Sequence, residues 1–144
     1  MDNLMVAPCG VVCDLCSAFQ RKRNKCVGCN NDDNNRYHYS KCSKCKIKNC
    51  LEKNGNGKLL CNICNKFPCR LIIKLDVRYR VKYGESPIEN LHEITRIGIK
   101  DFMKEFNKKW KCKKCSNLLC VHRGYCLFCK EKNPYNPYNP YNKL

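Results

Sequence analysis

The stretch that decides the fold runs from Trp110 to Lys130 and reads WKCKKCSNLLCVHRGYCLFCK. It contains two C-x2-C pairs, formed by Cys112 with Cys115 and, ten residues later, by Cys126 with Cys129. A two-residue gap lets both thiolates of a pair reach one tetrahedral ion. The four cysteines therefore predict one metal site of the zinc-ribbon type, although rubredoxin-type iron would use the same geometry.

A zinc ribbon holds its two pairs on a short β-hairpin, so strands are expected around the site. Gly124 is the predicted turn, and the strand residues would be Leu118, Leu119 and Val121. Cys120 and His122 are left over by the spacing. We expect Cys120 to be a buried thiol and His122 a surface or hydrogen-bonded residue, with recruitment of Cys120 as a ligand as the alternative.

The other eleven cysteines all lie in residues 1–69, which makes sixteen in a chain of 144 residues. Such density indicates either disulfides outside the cell or metals inside it. The N-terminus has neither a basic region nor an apolar run typical of a signal peptide, and the longest aliphatic run is Leu71–Ile73. We therefore expect a cytoplasmic protein that does not enter a membrane, with thiolates that bind metal.

Cysteine density and composition divide the chain into four regions. Residues 1–69 form a metal-binding module, 70–109 a helical bridge, 110–130 the zinc ribbon, and 131–144 an Asn-Pro-Tyr repeat tail that we expect to be disordered. The first region has too few aliphatic residues to fold without metal. The predicted fold class is a small, metal-stabilised α+β protein with a multi-site cysteine-rich module, a short helical bridge and a ribbon-like hairpin.

The bridge shows clear helix signals. Ser86-Pro87-Ile88-Glu89 is a capping box, and Gly98 offers a left-handed stop. A further helix should begin near Ile99, because Ile99, Phe102, Met103, Phe106 and Trp110 make one apolar stripe. A helix is also expected from about Cys69 to Asp76. Val77–Tyr83 alternates like a strand and could be either structure.

The grouping of cysteines in residues 1–69 is open. Our preferred grouping joins Cys26 and Cys29 to Cys45 and Cys50, and joins Cys9, Cys13 and Cys16 to members of Cys61, Cys64 and Cys69. His38 is a candidate extra ligand, and Cys42 is the first choice for an unused thiol. In total the predicted metal ligands are Cys9, Cys13, Cys16, Cys26, Cys29, Cys45, Cys50, Cys61, Cys64, Cys69, Cys112, Cys115, Cys126 and Cys129, which would hold three to four zinc ions in all.

The spacing C-x3-C-x2-C of Cys9, Cys13 and Cys16 also suits a 4Fe–4S cluster, as in radical enzymes that cleave S-adenosylmethionine. That chemistry needs a partial or full barrel of roughly 200 residues, which this chain cannot supply. A plain iron–sulfur cluster at these three cysteines remains the alternative. The chain shows no paired carboxylates, serine nucleophile or phosphate loop, so it lacks the residues for hydrolase or kinase chemistry.

The cysteine motifs together resemble a bacterial and archaeal family catalogued as a domain of unknown function, family 3795. The similarity covers roughly residues 9–130 and rests on CGVVCDLCSAF from Cys9, CVGC from Cys26, CKIKNC from Cys45, LLCNICNKFPCRLIIKL from Leu59, and the ribbon. The resemblance implies zinc binding by ten of the eleven cysteines before residue 70, and the eleventh, Cys42, is less typical of the family. It implies no substrate.

The formal net charge of +17 suggests a polyanionic partner. Sixteen thiolates with four zinc ions would lower the charge by eight, to +9, so the folded protein stays basic. Basic residues alternate with aromatic ones at Arg36–Tyr39, Arg78–Tyr83, Lys108–Lys111 and Arg123–Phe128, which suits single-stranded RNA. The expected binding surface is the ribbon, with Tyr125 and Phe128 for stacking and Lys108–Lys114 as a lysine-rich approach. The predicted function is a zinc-binding nucleic-acid module. The alternatives are an iron–sulfur redox protein and a zinc-stabilised protein–protein adaptor.

Overall fold

Four α-helices make up the regular part of the molecule in a computed structural model that describes residues 5–30, 45–50 and 60–137. They are α1 (Ser17–Gln20), α2 (Arg70–Tyr83), α3 (Pro87–Ile97) and α4 (Ile99–Lys109). Short 3-10 turns occur at Cys13–Leu15 and Cys61–Ile63. None of the described helices has the length and apolar character needed to cross a bilayer.

Extended segments pair only as isolated bridges in the part of the chain that the structure describes. Three antiparallel bridges join Val6 to Val12, Lys111 to Leu118, and Tyr125 to Lys132. The predicted α+β class is therefore not supported, and Leu118, Leu119 and Val121 do not form hairpin strands. Pairing of these residues stops at the single bridge of Leu118 with Lys111, because the Val121 amide donates to the Leu15 carbonyl at 2.9 Å instead of continuing a ladder.

Helix α2 extends seven residues beyond the predicted end at Asp76. Its inward face carries Ile72, Asp76 and Tyr79, at positions i, i+4 and i+7, all buried. Gly84 then ends the helix in the left-handed conformation, with φ 69° and ψ 26°. Val77–Tyr83, which its sequence pattern leaves open between helix and strand, is helical because Tyr79 is buried and Gly84 caps the helix.

The two predicted helices after α2 are confirmed. The Ser86 hydroxyl accepts a hydrogen bond from the Glu89 amide at 3.1 Å, with Pro87 at the first helical position. Gly98 separates α3 from α4 with φ 85° and ψ 157°, so it has the positive φ that was expected but not the left-handed helical ψ. Phe102, Met103 and Phe106 of α4 are buried as the stripe predicts.

A single apolar core joins the helices to both cysteine-rich segments. Asn90 of α3 donates to the Gly10 carbonyl at 2.9 Å, and the Cys61 amide donates to the Pro8 carbonyl at 2.8 Å. Gly10 has φ 94°, and a Cβ there would lie 2.4 Å from the Pro87 carbonyl oxygen. The loop around Cys9 is therefore held directly against the start of α3.

The tail is packed over residues 131–137, so its prediction as disordered is wrong there. Asn133 and Asn136 are buried, and the Asn136 side chain donates to the Val121 carbonyl at 2.9 Å. The Tyr135 ring lies 4.8 Å from the ring of Trp110, centroid to centroid, and its hydroxyl donates to the Lys109 carbonyl. The first Asn-Pro-Tyr unit thus packs against the C-terminal end of α4. Residues 138–144 lie outside the described residues.

Candidate metal centre

Cys112, Cys115, Cys126 and Cys129 form a metal-binding site. Their four sulfur atoms all lie within 4.8 Å of one another. Across the two pairs, Cys112 and Cys129 are 3.6 Å apart and Cys115 and Cys126 are 3.6 Å apart, sulfur to sulfur. A tetrahedral zinc ion with Zn–S bonds of about 2.3 Å would place its sulfurs about 3.8 Å apart. The donor set and its spacing therefore fit a tetrahedral thiolate metal.

Each pair sits in its own loop, and the two loops are built alike. The Cys112 amide donates to the Asn117 carbonyl at 2.8 Å, and the Cys126 amide donates to the Glu131 carbonyl at 2.7 Å. The residue that follows each second cysteine, Ser116 or Lys130, has a positive φ of 62° or 67°. These turns bring both thiols of a pair to one side, which is how a local sequence motif produces half of a metal site.

Two thiols of the site have strongly shifted pKa values. The Asn117 backbone N–H and side-chain amide lower the pKa of Cys115 to about 6, which favours the thiolate that metal binding requires. At Cys129 the backbone N–H of Glu131 also favours the thiolate. There, partial burial and the neighbouring thiols outweigh this bond and raise the pKa to about 12. Four thiolates this close together would repel one another unless a cation lay between them. The cluster is therefore suited to bind a metal cation.

Helix α4 fixes the position of this centre. Trp110, the residue after the helix, is completely buried, and its carbonyl accepts from the Leu119 amide at 2.9 Å. Cys112 and Cys126 are buried within the same apolar core. The metal centre therefore packs into the core of the molecule and is not a separate module.

Cys120 and His122 are the two side chains that the ligand spacing leaves over. Cys120 is buried, as expected, and burial raises its pKa to about 11. His122 accepts a hydrogen bond at Nδ1 from the Ser17 amide (3.2 Å), and its Nε2 lies 3.0 Å from the Tyr79 hydroxyl. Burial, followed by Arg123 and Arg78, lowers the pKa of His122 to about 4. This histidine is neutral, and its two hydrogen bonds link α1 and α2 to the segment that carries the metal centre.

The N-terminal cysteines approach one another without a second closed cluster among the described residues. The Cys29 amide donates to the Cys13 sulfur at 3.4 Å, a bond typical of metal knuckles. The pKa of Cys9 is raised by burial and further by the nearby Cys29, Cys45 and Cys61. These neighbours mix the two predicted groups, so which of these cysteines share an ion stays a prediction.

A small apolar cavity of about 20 Å³ lies between the loop at residue 50 and the start of α2. Four of the predicted ligands, Cys50, Cys61, Cys64 and Cys69, line it together with Ile47 and Phe67. The structure thus brings Cys50 toward the Cys61–Cys69 segment rather than leaving it solely with Cys26 and Cys29. Cys16 and Cys26 are described but belong to neither set, and Cys42 and His38 lie outside the described residues.

A broad basic cleft of about 490 Å³ opens beside the metal centre. Its walls carry lysines 108, 109, 111 and 113 with one acidic residue, Glu105, and include Ser116 and Tyr135. The Lys109 ammonium lies 5.1 Å from the centre of the Tyr135 ring. Four lysines of the predicted approach Lys108–Lys114 line this cleft, whereas the Lys114 ammonium lies 3.3 Å from the Glu131 carboxylate and is not among them. Tyr135 was not predicted, because only its long-range packing on Trp110 brings it here.

Comparison with known proteins gives one family. Residues 5–74 match the model of a family described as "Protein of unknown function (DUF3795)". No curated protein and no solved structure matches the chain. The matched segment includes all eleven N-terminal cysteines and ends within α2, so the metal centre at Cys112–Cys129 lies outside it. This match confirms, over residues 5–74, the resemblance indicated by the cysteine motifs.

Proposed function

We propose that this protein is a zinc-stabilised basic protein that binds single-stranded nucleic acid, RNA more than duplex DNA, through the cleft beside the metal centre. The observation that carries the proposal is the composition of that cleft: four lysines, one serine and one tyrosine against a single glutamate. Phosphate groups are neutralised by lysine, whereas exposed rings can stack on unpaired bases.

The position of the cleft favours a flexible strand over a rigid duplex. It is lined by the end of α4 and by the first cysteine loop together, rather than by one helix face of the kind that enters a major groove. Phe128, at the second cysteine loop, has 64% of its surface exposed and offers a ring for stacking. The Tyr125 ring, the other predicted stacking group, is half-buried beneath the Lys130 ammonium at 5.3 Å, so Phe128 is the better candidate.

In this proposal the metal is zinc, and its role is structural. Four thiolates at tetrahedral spacing and no free coordination position are typical of structural zinc sites. The N-terminal cysteines Cys9, Cys13, Cys16, Cys26, Cys29, Cys45, Cys50, Cys61, Cys64 and Cys69 would hold the remaining ions, for three to four in total. The chain's residues position the bound strand, and the metal keeps the two loops rigid.

The test is binding of a fluorescent single-stranded RNA as a function of salt. We expect measurable binding at low salt that weakens steeply as salt rises. Replacing lysines 108, 109, 111 and 113 with glutamine should lower the slope of log K against log salt by about two to three, since each phosphate contact contributes about 0.7 for a single strand. Phe128→Ala should weaken binding by about 1–3 kcal/mol at fixed salt and leave the slope unchanged.

The matched control carries the same change of charge elsewhere on the surface. Lysines 74, 82, 100 and 104 are exposed on α2 and α4 and do not line the cleft. Their replacement by glutamine should change the slope much less. If the holoprotein bound neither RNA nor DNA at low salt, or if both quadruple variants lost binding equally, the cleft would not be a nucleic-acid site.

A further inference from the structure

The solvent face of α2 carries a row of aliphatic side chains. Ile73, Val77 and Val81 follow one another at four-residue spacing and are 45%, 46% and 71% exposed. Because the buried face of the helix holds Ile72, Asp76 and Tyr79, this row lies on the side directed away from the core. Isolated exposed apolar residues are ordinary, but three in line on one helix define a surface, here called the α2 row.

A second row, of basic side chains, runs beside the first. Arg70, Lys74, Arg78 and Lys82 are also spaced by four and are all exposed. The only acidic residue of α2, Asp76, is 3% exposed and already accepts bonds from the Ser86 hydroxyl, the Ile88 amide and Arg80. The exposed surface of α2 is therefore aliphatic and positive, without any acidic group of its own helix.

We propose that the α2 row is a docking site for an acidic amphipathic helix of a protein partner. Branched side chains at regular helical spacing pack well against the apolar seam of another helix, and Glu or Asp beside that seam would pair with the basic row. The complementary charge gives both orientation and selectivity.

Other occupants fit this surface less well. The ring of Tyr79 is buried, and that of Tyr83 is half-buried against Tyr79 and His122, so the row offers RNA no exposed ring to stack on. Helices that lie on membranes present a wide face of large residues such as Leu, Phe and Trp, whereas this row is narrow and two of its three residues are valine. A second copy of the chain would bring two basic rows together.

This inference stands apart from the proposed nucleic-acid site, because α2 does not line the basic cleft. If both hold, the molecule joins a nucleic acid on one surface to a protein on another.

The experiment titrates the zinc-loaded full chain into a labelled synthetic helical peptide that has Ile and Leu along one face and Glu on both flanks. The same peptide with Lys in place of Glu is the charge control. We expect the Glu peptide to bind at least about tenfold more tightly than the Lys peptide. Val77→Asp with Val81→Asp should reduce Glu-peptide binding by at least about tenfold, and Lys74→Gln with Lys82→Gln should weaken it and reduce its salt dependence.

Matched variants keep the outcome interpretable. Lys100→Gln with Lys104→Gln removes the same charge from exposed positions of α4 and should leave peptide binding unchanged. Metal content and the circular dichroism spectrum are measured for every variant. Should the aspartate variant fail to fold, Val77→Ala with Val81→Ala, which favours the helix, should still weaken binding severalfold.

Four results would overturn the proposal. The first is no binding of the Glu peptide, and the second is equal binding of both peptides. The third is that the alanine or aspartate changes weaken attachment to phosphatidylserine vesicles or to RNA while peptide binding is unaffected. The last is a concentration-dependent dimer in sedimentation that the same changes abolish, which would assign the row to a second copy of this chain.

Discussion

At the scale of single residues, His122 shows how a neutral imidazole can join three segments. Its Nδ1 accepts the Ser17 amide hydrogen at 3.2 Å, so that nitrogen carries no proton. The proton of the neutral ring is then on Nε2, which donates to the Tyr79 oxygen at 3.0 Å. The ring also packs edge-on against Tyr83, with centroids 4.8 Å apart. Adding a second proton would break the bond to Ser17.

This geometry predicts a stability that depends on pH. The pKa of His122 is about 4 in the folded protein, below the ordinary value of 6.5, so the unfolded chain binds the proton more readily. The contribution is present in full above pH 6.5 and is lost as pH falls from about 6.5 to about 4, by on the order of 3 kcal/mol. We expect His122→Asn, which cannot take up a proton there, to remove this part of the slope.

The measurement is urea unfolding of both proteins at a series of pH values between 4 and 7. Thiolate protonation also releases metal in acid, but this occurs in both proteins and cancels in the difference between their free energies of unfolding. The difference should shrink as pH falls. Parallel curves for wild type and His122→Asn would show that the histidine does not titrate as its surroundings predict.

At the scale of the elements, a local sequence pattern predicts a helix correctly when the pattern is compatible with only one kind of secondary structure. The capping box at Ser86 and the apolar stripe after Ile99 each specify a helix, and both helices are present. The alternation over Val77–Tyr83 is ambiguous because its basic and aliphatic residues are exposed on a helix just as they could be on a strand. The burial of Tyr79 and the helix cap at Gly84 favour the helix over the strand, and both depend on the surrounding fold.

Gly84, at the end of α2, lies in close contact with the packed tail. Its φ of 69° is unfavourable for other residues, and a Cβ there would lie 1.9 Å from the Tyr135 carbonyl oxygen. We expect Gly84→Ala to destabilise the protein by about 1–2 kcal/mol through backbone strain alone, and further because the tail must move. Since Tyr135 covers Trp110, displacement of the tail should change tryptophan fluorescence.

Gly98→Ala is the control for this variant. Gly98 has φ 85°, and a Cβ there would meet nothing within 4 Å. The control should therefore lose stability from strain without a change in native fluorescence. Asn usually tolerates a left-handed cap, but Gly84→Asn should stay unstable because its Cβ meets the same oxygen. A stable Gly84→Asn would contradict the close contact with the tail.

At the scale of the whole molecule, a metal site can be predicted from the sequence when its ligands lie close together along the chain, and not when they come from distant segments. The site at Cys112–Cys129 is readable because its ligands lie within one short segment and each pair closes its own turn. The grouping in residues 1–69 depends on where distant loops meet, as when the Cys61 amide reaches the Pro8 carbonyl, and spacing cannot show this. The tail is a similar case, since the side chains of Asn133 and Asn136 donate to the carbonyls of Cys120 and Val121, and the repeat sequence does not show these contacts.

One core extends from Val6 to Cys126, so loss of metal at one end should affect the whole. Structural zinc contributes about 10–16 kcal/mol in small zinc domains, as much as the total stability of about 5–15 kcal/mol of an ordinary domain. Cys115→Ser removes a ligand of the ribbon site, and we expect it to lower the metal count by one and to expose Trp110, with a red shift of its fluorescence. Cys120→Ala removes a buried thiol outside the four-sulfur cluster and should keep the count.

The metal itself is identified on the protein purified without oxygen and without added metal. Elemental analysis should find about three to four zinc ions per chain in a colourless protein, because tetrahedral four-thiolate sites of this spacing suit zinc. Cys120→Ala should match the wild type, and Cys115→Ser should fall one ion short. A brown protein with absorbance near about 400 nm and about four irons per chain would instead indicate an iron–sulfur cluster, with Cys9, Cys13 and Cys16 as its first candidates. A single iron lost in Cys115→Ser, with zinc retained elsewhere, would assign rubredoxin-type iron to the ribbon site alone.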